Sequence, residues 1–251
     1  MLRVMDGRTR CLTGIPAGLH RGLVTMCVHL ASGEEPPTPT DVRALLIGDV
    51  LMRTLEGRGI QVLHALAGPG RPAERTGDLR QVISGFGIHP PDDGSVGPGA
   101  PADMHVSADA PNGAEPGLWI EVGPVRRRAP AGQDTDLGGA DPLATRLALL
   151  ARPHARPVEL SPDTLTEAER TLGAWRRQVA SWANSPSKPV PGDLRRRAEG
   201  ALDDDLGTRG VLETLRQVEA EDTVPDGAKF ETFALLDRVL GLELAREVGR
   251  A

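Results

Sequence analysis

The order of apolar and polar residues near the amino terminus predicts two buried strands joined by a helix. Residues 23–30 (LVTMCVHL) form a short apolar run that ends in a Ser-Gly turn and prolines, which is typical of a buried strand. Thr40 and Asp41 can cap a helix that stops at the glycines of 57–59, and residues 60–65 (IQVLHA) have the pattern of a second strand. This order predicts a parallel crossover, with a ligand site beyond the carboxyl end of the first strand.

The middle of the chain alternates between short predicted elements and loops. A polar helix is predicted over residues 73–83, whereas residues 89–117 are too rich in Pro and Gly for regular structure, apart from a short strand over 104–106. The run LWIEVGPV (118–125) predicts another strand, after which RRRAPAGQDTDLGGA returns to a loop. We therefore place a domain boundary near Ala140.

The carboxyl-terminal half has the apolar spacing of packed helices. Five helices are expected, over 141–151, from a cap at Ser161 and a first residue at Pro162, and over 194–202, 210–220 and 228–248. Along the long second helix, steps of three and four separate Leu165, Ala168, Leu172, Trp175, Val179 and Trp182. The predicted fold class is α/β plus α, a reduced Rossmann-like parallel sheet over 1–140 followed by a helical bundle over 141–251.

Composition and charge narrow the classes of partner. The formal net charge is −6, and three Trp, three Phe and no Tyr leave little for an aromatic platform that stacks bases. An RNA contact would need a local basic face, for which the sequence offers Arg176, Arg177, Arg195, Arg196 and Arg197. Alternatively, these arginines are solvated helix faces. DNA is not an expected partner, and neither is a membrane, because no apolar run approaches about 18 residues.

The spacing of cysteines and histidines argues against a metal site built within one segment. Cys11 and Cys27 are the two cysteines, and no two histidines stand at i, i+4 spacing, so we expect no zinc and no disulfide framework. Few cysteines and a charged start (MLRVMDGRTR) without a following apolar segment favour a reducing cytoplasm. The three Asp of 203–205 are interpreted as a helix end, with a carboxylate metal cluster as the alternative.

The loop after the first predicted strand is poorly suited to holding phosphate. Phosphate sites usually use a Gly-rich turn into a helix, whose N–H groups hold the anion. Here the loop reads SGEEPPTPTDV, in which the glutamates repel an anion and the prolines lack an N–H donor. The sequence also has no Ser elbow or Walker motif. His29, at the strand end, is the candidate ligand contact, and the alternative is a partly buried structural histidine.

Several segments, in this order, resemble the cysteinyl-tRNA synthetases and the related mycothiol-pathway cysteine ligase, which are class I aminoacyl-tRNA synthetase relatives. Met26 matches the Met of the family's first strand, Arg43 matches the Arg after its ATP motif, and residues 49–62 resemble its helix and second strand. Residues 102–105 (ADMH) are similar to the family's D-I-H segment, and LWIEVGPV to the strand before its lysine loop. The carboxyl-terminal half, from DPLATRLALL to FETFALLDRVLGLELA, resembles the family's structural helices.

The resemblance implies a site whose key residues have been replaced. His29 stands at the family's zinc-binding cysteine, and the ATP-binding His-Ile-Gly motif is replaced by Thr38, Pro39, Thr40 and Asp41. The loop RRRAPAGQDTDLGG stands where the family's lysines stabilise charge on the ATP phosphates, and it contains no lysine. Binding, electrostatics and specificity for adenylation are thus altered together.

These replacements predict a truncated, degenerate paralogue that acts as a binding or regulatory protein, without a cofactor, for a protein or tRNA partner in the cytoplasm. Its ligand crevice would be lined by His29, Arg43 and His105, beside the vacated ATP-motif positions Thr38 and Thr40, and no residue is assigned as catalytic. The alternative is an altered class I ligase that still binds ATP or an aminoacyl-adenylate, with His29, His105 and the arginine loop in new roles. A third interpretation, a decaying duplicate, is disfavoured by the intact apolar spacing of the helices.

Overall fold

The structure, a computed structural model, describes residues 2–15, 22–31, 37–68, 77–92, 101–108, 116–128 and 141–250. The strands in these ranges are β1 (Arg3–Met5), β2 (Leu12–Gly14), β3 (Leu23–His29), β4 (Gln61–Ala67), β5 (Met104–Ser107), β6 (Leu118–Glu121), β7 (Val125–Arg127) and β8 (Val158–Leu160). The helices are α1 (Pro39–Glu56), α2 (Asp78–Gly85), α3 (Pro142–Leu150), α4 (Pro162–Trp182), α5 (Gly192–Asp203), α6 (Thr208–Ala220) and α7 (Asp226–Leu240).

A four-stranded parallel sheet, in the order β4-β3-β5-β6, forms the centre of the amino-terminal part. β3, α1 and β4 make the crossover predicted from the apolar runs. The register places Cys27 beside Ala65 on β4 and beside His105 on β5, and it places His105 beside Trp119 on β6. The predicted α/β plus α class is confirmed, and the carboxyl ends of β3 and β5 lie next to each other.

The amino terminus of α1 is closed by its own side chains. Thr38 is the N-cap, its hydroxyl accepts a hydrogen bond from the backbone N–H of Asp41, and the Asp41 side chain returns the contact as a capping box. Pro39 takes the first helical position, where its missing N–H leaves no bond unmade. The helix therefore begins before the cap predicted at Thr40 and Asp41.

α1 packs on one face of β3, and two side chains on the other face of that strand are only half buried. Met26 and Val28 are fully buried beneath it, and a Cβ added at Gly48 of α1 would lie 2.7 Å from Val28 Cγ2. Because successive strand residues point to opposite faces, Cys27 and His29 project away from α1, and both are half buried. Polar side chains of β3 thus lie on the face that points away from α1.

The predicted strand over 118–125 is wrong in its extent. The chain leaves the parallel sheet after Glu121, and β7 then pairs in parallel with β8 in a separate two-stranded sheet. At the break, a Cβ on Gly123 would lie 2.4 Å from the backbone carbonyl carbon of Arg156, so the two chain segments approach closely. Residues 126–127 are consequently strand and not the predicted loop.

The carboxyl-terminal helices pack around aromatic rings. Trp175 and Trp182 of α4 both meet the ring of Phe233 on α7 edge-on, with centroids 5.8 and 5.1 Å apart. The apolar seam predicted for α4 is buried at Leu165, Ala168, Leu172, Trp175, Val179 and Trp182. Both tryptophans are therefore core residues, as the spacing predicts.

The last helix is shorter than predicted. α7 ends at Leu240, because Gly241 adopts a left-handed backbone with φ 60°. The carboxylate of Asp237 then accepts hydrogen bonds from the backbone N–H groups of Leu242 and Leu244. These bonds hold the turn that replaces the final helical segment.

The structure can also be compared with several smaller predictions. α2 begins at Asp78, and residues 73–76 of the predicted 73–83 helix lie outside the described ranges, as do residues 93–100 and 109–115 of the Pro/Gly-rich segment. The short strand predicted over 104–106 is β5. α5 ends at Asp203, which confirms the interpretation of the Asp run as a helix end. Among the described residues, no helix is both long enough and apolar enough to cross a bilayer.

A buried ionic network ties α1 to helices beyond the predicted domain boundary. Asp49 accepts hydrogen bonds from Arg53 Nε at 2.8 Å and from Arg146 Nη2 at 2.5 Å. Its second oxygen lies 2.8 Å from His89 Nδ1. Burial alone would raise the pKa of Asp49, but the His89 hydrogen bond and the two arginines hold it well below its usual range. Arg146 of α3 also donates to backbone carbonyls at the end of α7 and after α2.

Candidate functional site

Strand register brings three possible metal ligands together on the face of the sheet that points away from α1. Cys27 and His29 lie two residues apart on β3 and project to the same face, and His105 on β5 is paired with Cys27. The ligand atoms of these side chains all lie within 4.8 Å of one another. We call these residues the Cys-His cluster. In register beside it, β4 presents the small side chains of Ala65 and Ala67.

The hydrogen bonds of His105 define its tautomer. Its Nε2 lies 3.0 Å from the carbonyl oxygen of Pro116. A carbonyl oxygen can only accept, so Nε2 carries a proton. Its Nδ1 lies 2.9 Å from His29 Nε2, and in the neutral imidazole this Nδ1 accepts from His29. The Pro116 carbonyl therefore aims a basic nitrogen of His105 into the cluster.

Trp119 forms one wall of the site. Its ring is stacked on His105, with centroids 4.3 Å apart and planes inclined by 12°, and on His29 at 5.0 Å and 24°. The indole is buried, and its position on β6 follows from the pairing with His105. Such stacking fixes the orientation of both imidazoles.

The sequence-based candidates are brought together only in part. His29 and His105, predicted to line a ligand crevice, are in direct contact across β3 and β5. Cys27 and Trp119 were not assigned to the site. The two-residue spacing of Cys27 and His29 on a predicted strand was the available signal for the first, whereas the contacts of Trp119 depend on strand register.

Arg43 has a structural role that the sequence reasoning missed. Its side chain is fully buried, and its guanidinium donates to the carbonyl oxygens of Gly123, Pro153 and Arg156 at 2.6 to 2.8 Å. Burial lowers its pKa to about 10. The assignment of Arg43 to the ligand crevice is therefore corrected: it clamps the close approach of two chain segments at Gly123.

Thr38, Thr40 and Asp41, which stand where the resemblance implies an ATP motif, form hydrogen bonds within the protein. The Asp41 carboxylate accepts from Ala31 N at 2.8 Å, from Thr38 N at 3.1 Å and from the Thr38 hydroxyl at 2.7 Å. The Thr40 hydroxyl accepts from Val125 N at 3.0 Å. A carboxylate thus stands at the positive end of the α1 dipole, where a phosphate group would otherwise be attracted.

The arginine run after β6 is anchored at its start. Arg126 and Arg127 belong to β7, and the guanidinium of Arg128 lies 3.8 Å from the Glu159 carboxylate of β8. The remainder of the loop, residues 129–140, lies outside the described ranges. A phosphate-binding role for this run stays a prediction.

The predicted basic face loses one of its five arginines to the core. Arg176 is buried, and it donates to the backbone carbonyls of Leu242 and Glu243, so it is corrected from a possible RNA contact to a core residue. The remaining members are exposed: Arg177, Arg195, Arg196 and Arg197. Two of these already contact neighbouring side chains, Arg195 with Glu199 and Arg197 with Gln217. Contact of the exposed arginines with RNA stays a prediction.

Part of this chain is similar to curated cysteine ligases, and no protein-family model matches it. Three relatives are each named L-cysteine:1D-myo-inositol 2-amino-2-deoxy-alpha-D-glucopyranoside ligase. The protein from Thermobispora bispora is 38% identical over 105 residues, which cover 42% of this chain and 25% of the ligase. Those from Geodermatophilus obscurus and Streptosporangium roseum are each 36% identical, over 113 and 110 residues, and each match covers 42% of this chain and 26% of the ligase. The matched part therefore spans about a quarter of the length of these relatives.

Proposed function

We propose a function from the premise that this chain is a relative of the cysteine ligases, a family related to the cysteinyl-tRNA synthetases. The proposed function is a binding or regulatory module that does not carry out ATP-dependent ligation. A protein or a tRNA is the proposed class of partner. Cys27 and His29, the half-buried members of the Cys-His cluster, would face the ligand, and the buried His105 and Trp119 contact His29 from within the fold.

The observation that carries this proposal is the capping of α1 by Asp41. The carboxylate uses the N–H groups of Ala31 and Thr38 and the Thr38 hydroxyl as its own donors. Pro39, at the first helical position, has no N–H to offer. Donors that could otherwise hold a phosphate oxygen at this helix end are thus already engaged.

The charge of the Asp41 carboxylate also disfavours phosphate binding. A phosphate oxygen about 4 Å from the Asp41 carboxylate would meet a repulsion of about 4 kcal/mol at an effective dielectric constant of about 20. A penalty of this size weakens binding by roughly a thousandfold. A related ligase with neutral donors at this position would not carry that penalty, so we infer that ATP binds here poorly or not at all.

Cysteine-dependent exchange between ATP and pyrophosphate tests the proposal. The purified chain is assayed beside the ligase from Thermobispora bispora, with and without cysteine. We expect exchange no faster than in the protein-free reaction, because the ATP phosphates lack their binding position. Cysteine-dependent exchange above that background would contradict the proposal and favour an altered ligase.

We also propose a cytoplasmic location. The chain has two cysteines, Cys11 and Cys27, and Cys27 belongs to the cluster. A thiol that contributes to a ligand site has to stay reduced, which the cytosol provides. Fractionation of the native organism, followed by immunodetection of the chain, would check this location.

A further inference from the structure

We propose that the Cys-His cluster binds a divalent transition-metal ion, for which zinc is the best match. The proposal concerns Cys27, His29 and His105 and does not depend on whether the chain retains ATP chemistry. The sequence alone predicted no zinc, because its histidines lack helical i, i+4 spacing. Strand pairing brings the donors together instead.

The donor set selects the class of metal. A thiolate and two imidazoles are the soft and borderline ligands that bind Zn²⁺, and Mg²⁺ and Ca²⁺ prefer oxygen ligands. Three protein ligands around zinc leave a fourth tetrahedral position for water. Of the three residues, His29 alone stands where the family resemblance implies a zinc ligand.

The distances between the three ligand atoms are close to those around a tetrahedral zinc ion. Zinc bonds of about 2.1 Å to nitrogen and about 2.3 Å to sulfur, at tetrahedral angles, separate ligand atoms by roughly 3.3 to 3.6 Å. The two facing imidazole nitrogens are 2.9 Å apart, and all three ligand atoms lie within 4.8 Å of one another. The separations that zinc requires therefore differ from those in the structure by at most about 1.5 Å.

The surroundings of His105 already have the arrangement of a metal-bound histidine. Histidine ligands commonly donate their second N–H to a backbone carbonyl, which orients the ring and makes the ligating nitrogen more basic. Here His105 Nε2 donates to the Pro116 carbonyl, and Nδ1 faces the cluster. Trp119, stacked on both imidazoles, would stabilise the positive charge that a bound ion gives them.

Binding has a defined proton balance. The Cys27 thiol loses its proton to solvent and becomes the thiolate ligand, and no electron is transferred. The metal replaces the hydrogen bond that now joins His29 Nε2 to His105 Nδ1, and the proton on His29 Nε2 moves through solvent to Nδ1 of the same neutral ring. Zinc binding and the hydrogen bond between the two rings therefore exclude each other.

Metal counting and a cobalt spectrum test the site. The reduced full-length chain is loaded with Zn²⁺ or Co²⁺, passed through a desalting column, and analysed by elemental mass spectrometry and absorption spectroscopy. We expect one equivalent of metal per chain and a thiolate-to-cobalt charge-transfer band. Cys27→Ser should abolish that band, and Cys27→Ser and His29→Gln should each weaken binding by more than about 100-fold, because each removes a direct ligand and outer-shell changes already cost 10–100-fold.

Cys11→Ser is the matched control, because Cys11 is the other cysteine and is exposed. It should leave stoichiometry and spectrum unchanged, and circular dichroism checks that each variant is folded. The spectrum of the unmutated chain by itself shows whether sulfur binds the metal. Absence of bound metal, a spectrum without sulfur ligation, or binding that is lost in Cys11→Ser and kept in Cys27→Ser would each overturn the proposal.

Discussion

Several charged residues of this chain stabilise the fold from its interior. Arg43, Asp41 and Asp49 are each at most 3% exposed and are hydrogen-bonded to backbone groups or to other buried side chains. Removing one partner from a buried ionic contact leaves the other without compensation, which costs far more than breaking a surface pair. Substitutions at these positions should therefore affect stability first.

Asp49→Asn tests this at the centre of the network. The amide cannot balance the charge of Arg146, whose side chain is fully buried, so we expect the free energy of unfolding to fall by about 3–5 kcal/mol. Glu199→Gln makes the same chemical change in an exposed pair with Arg195 and should cost less than about 1 kcal/mol. Urea denaturation of both variants at neutral pH gives the comparison, and equal losses would contradict a structural role for Asp49.

The stability difference between the unmutated chain and Asp49→Asn should also depend on pH. The pKa of Asp49 is lowered in the folded state, so its carboxylate contributes stability above its unfolded pKa of about 4, and that contribution falls as pH decreases further. The difference in unfolding free energy between the unmutated chain and Asp49→Asn should narrow as the pH falls below about 4. A difference that widens with acidification would have the wrong sign for this network.

Among the elements, α1 and β3 determine which side chains of the central strand lie under the helix. The helix lies close to β3 at Gly48, where a side chain would meet the stiff, branched Val28. This contact holds the even-numbered β3 residues under the helix. Cys27 and His29 are thereby turned to the other side.

A pair of glycine substitutions measures that packing. Gly48→Ala gains helix propensity but places a methyl group 2.7 Å from Val28 Cγ2, so we expect a net loss of about 1–3 kcal/mol. Gly200→Ala, in α5, meets nothing within 4 Å and should stabilise the chain by up to about 1 kcal/mol. Thermal unfolding of the two variants should show shifts in opposite directions, and a stabilising Gly48→Ala would contradict the close helix-sheet contact.

Periodicity predicted most elements and failed where tertiary contacts set the boundaries. The end of α7 was missed because Leu242 and Leu244 continue the apolar spacing past Gly241 and are buried in the turn. The break after Glu121 was missed because it depends on the approach of Gly123 to Arg156, far along the chain. Apolar spacing reports burial, and these residues are buried without continuing the element.

The sequence likewise identified some residues of the candidate site but not how they come together. His29 was identifiable from its place at the end of an apolar run, and His105 from the family resemblance. The association of Cys27 with both required the register of β3 and β5, which sequence spacing does not encode. Arg43 was misassigned because a match to a family position does not reveal that three carbonyl groups enclose the side chain.

At the scale of the whole molecule, the sheet and the following helices are joined by buried polar contacts. Asp49 with Arg146 links α1 to α3, and Arg43 links α1 to the segments around Gly123 and Arg156. The domain boundary near Ala140 stays a prediction. These contacts place α1, with its closed amino terminus, at the junction of the two halves.

Calorimetric titration with Mg-ATP and with a cysteinyl-adenylate analogue tests the central claim most directly, because phosphate binding precedes any ligation. If Asp41 occupies the anion position at α1, neither ligand should bind with a micromolar dissociation constant. The ligase from Thermobispora bispora serves as the positive control. Micromolar binding of either ligand to this chain would contradict the account, because it would mean that the nucleotide site still functions.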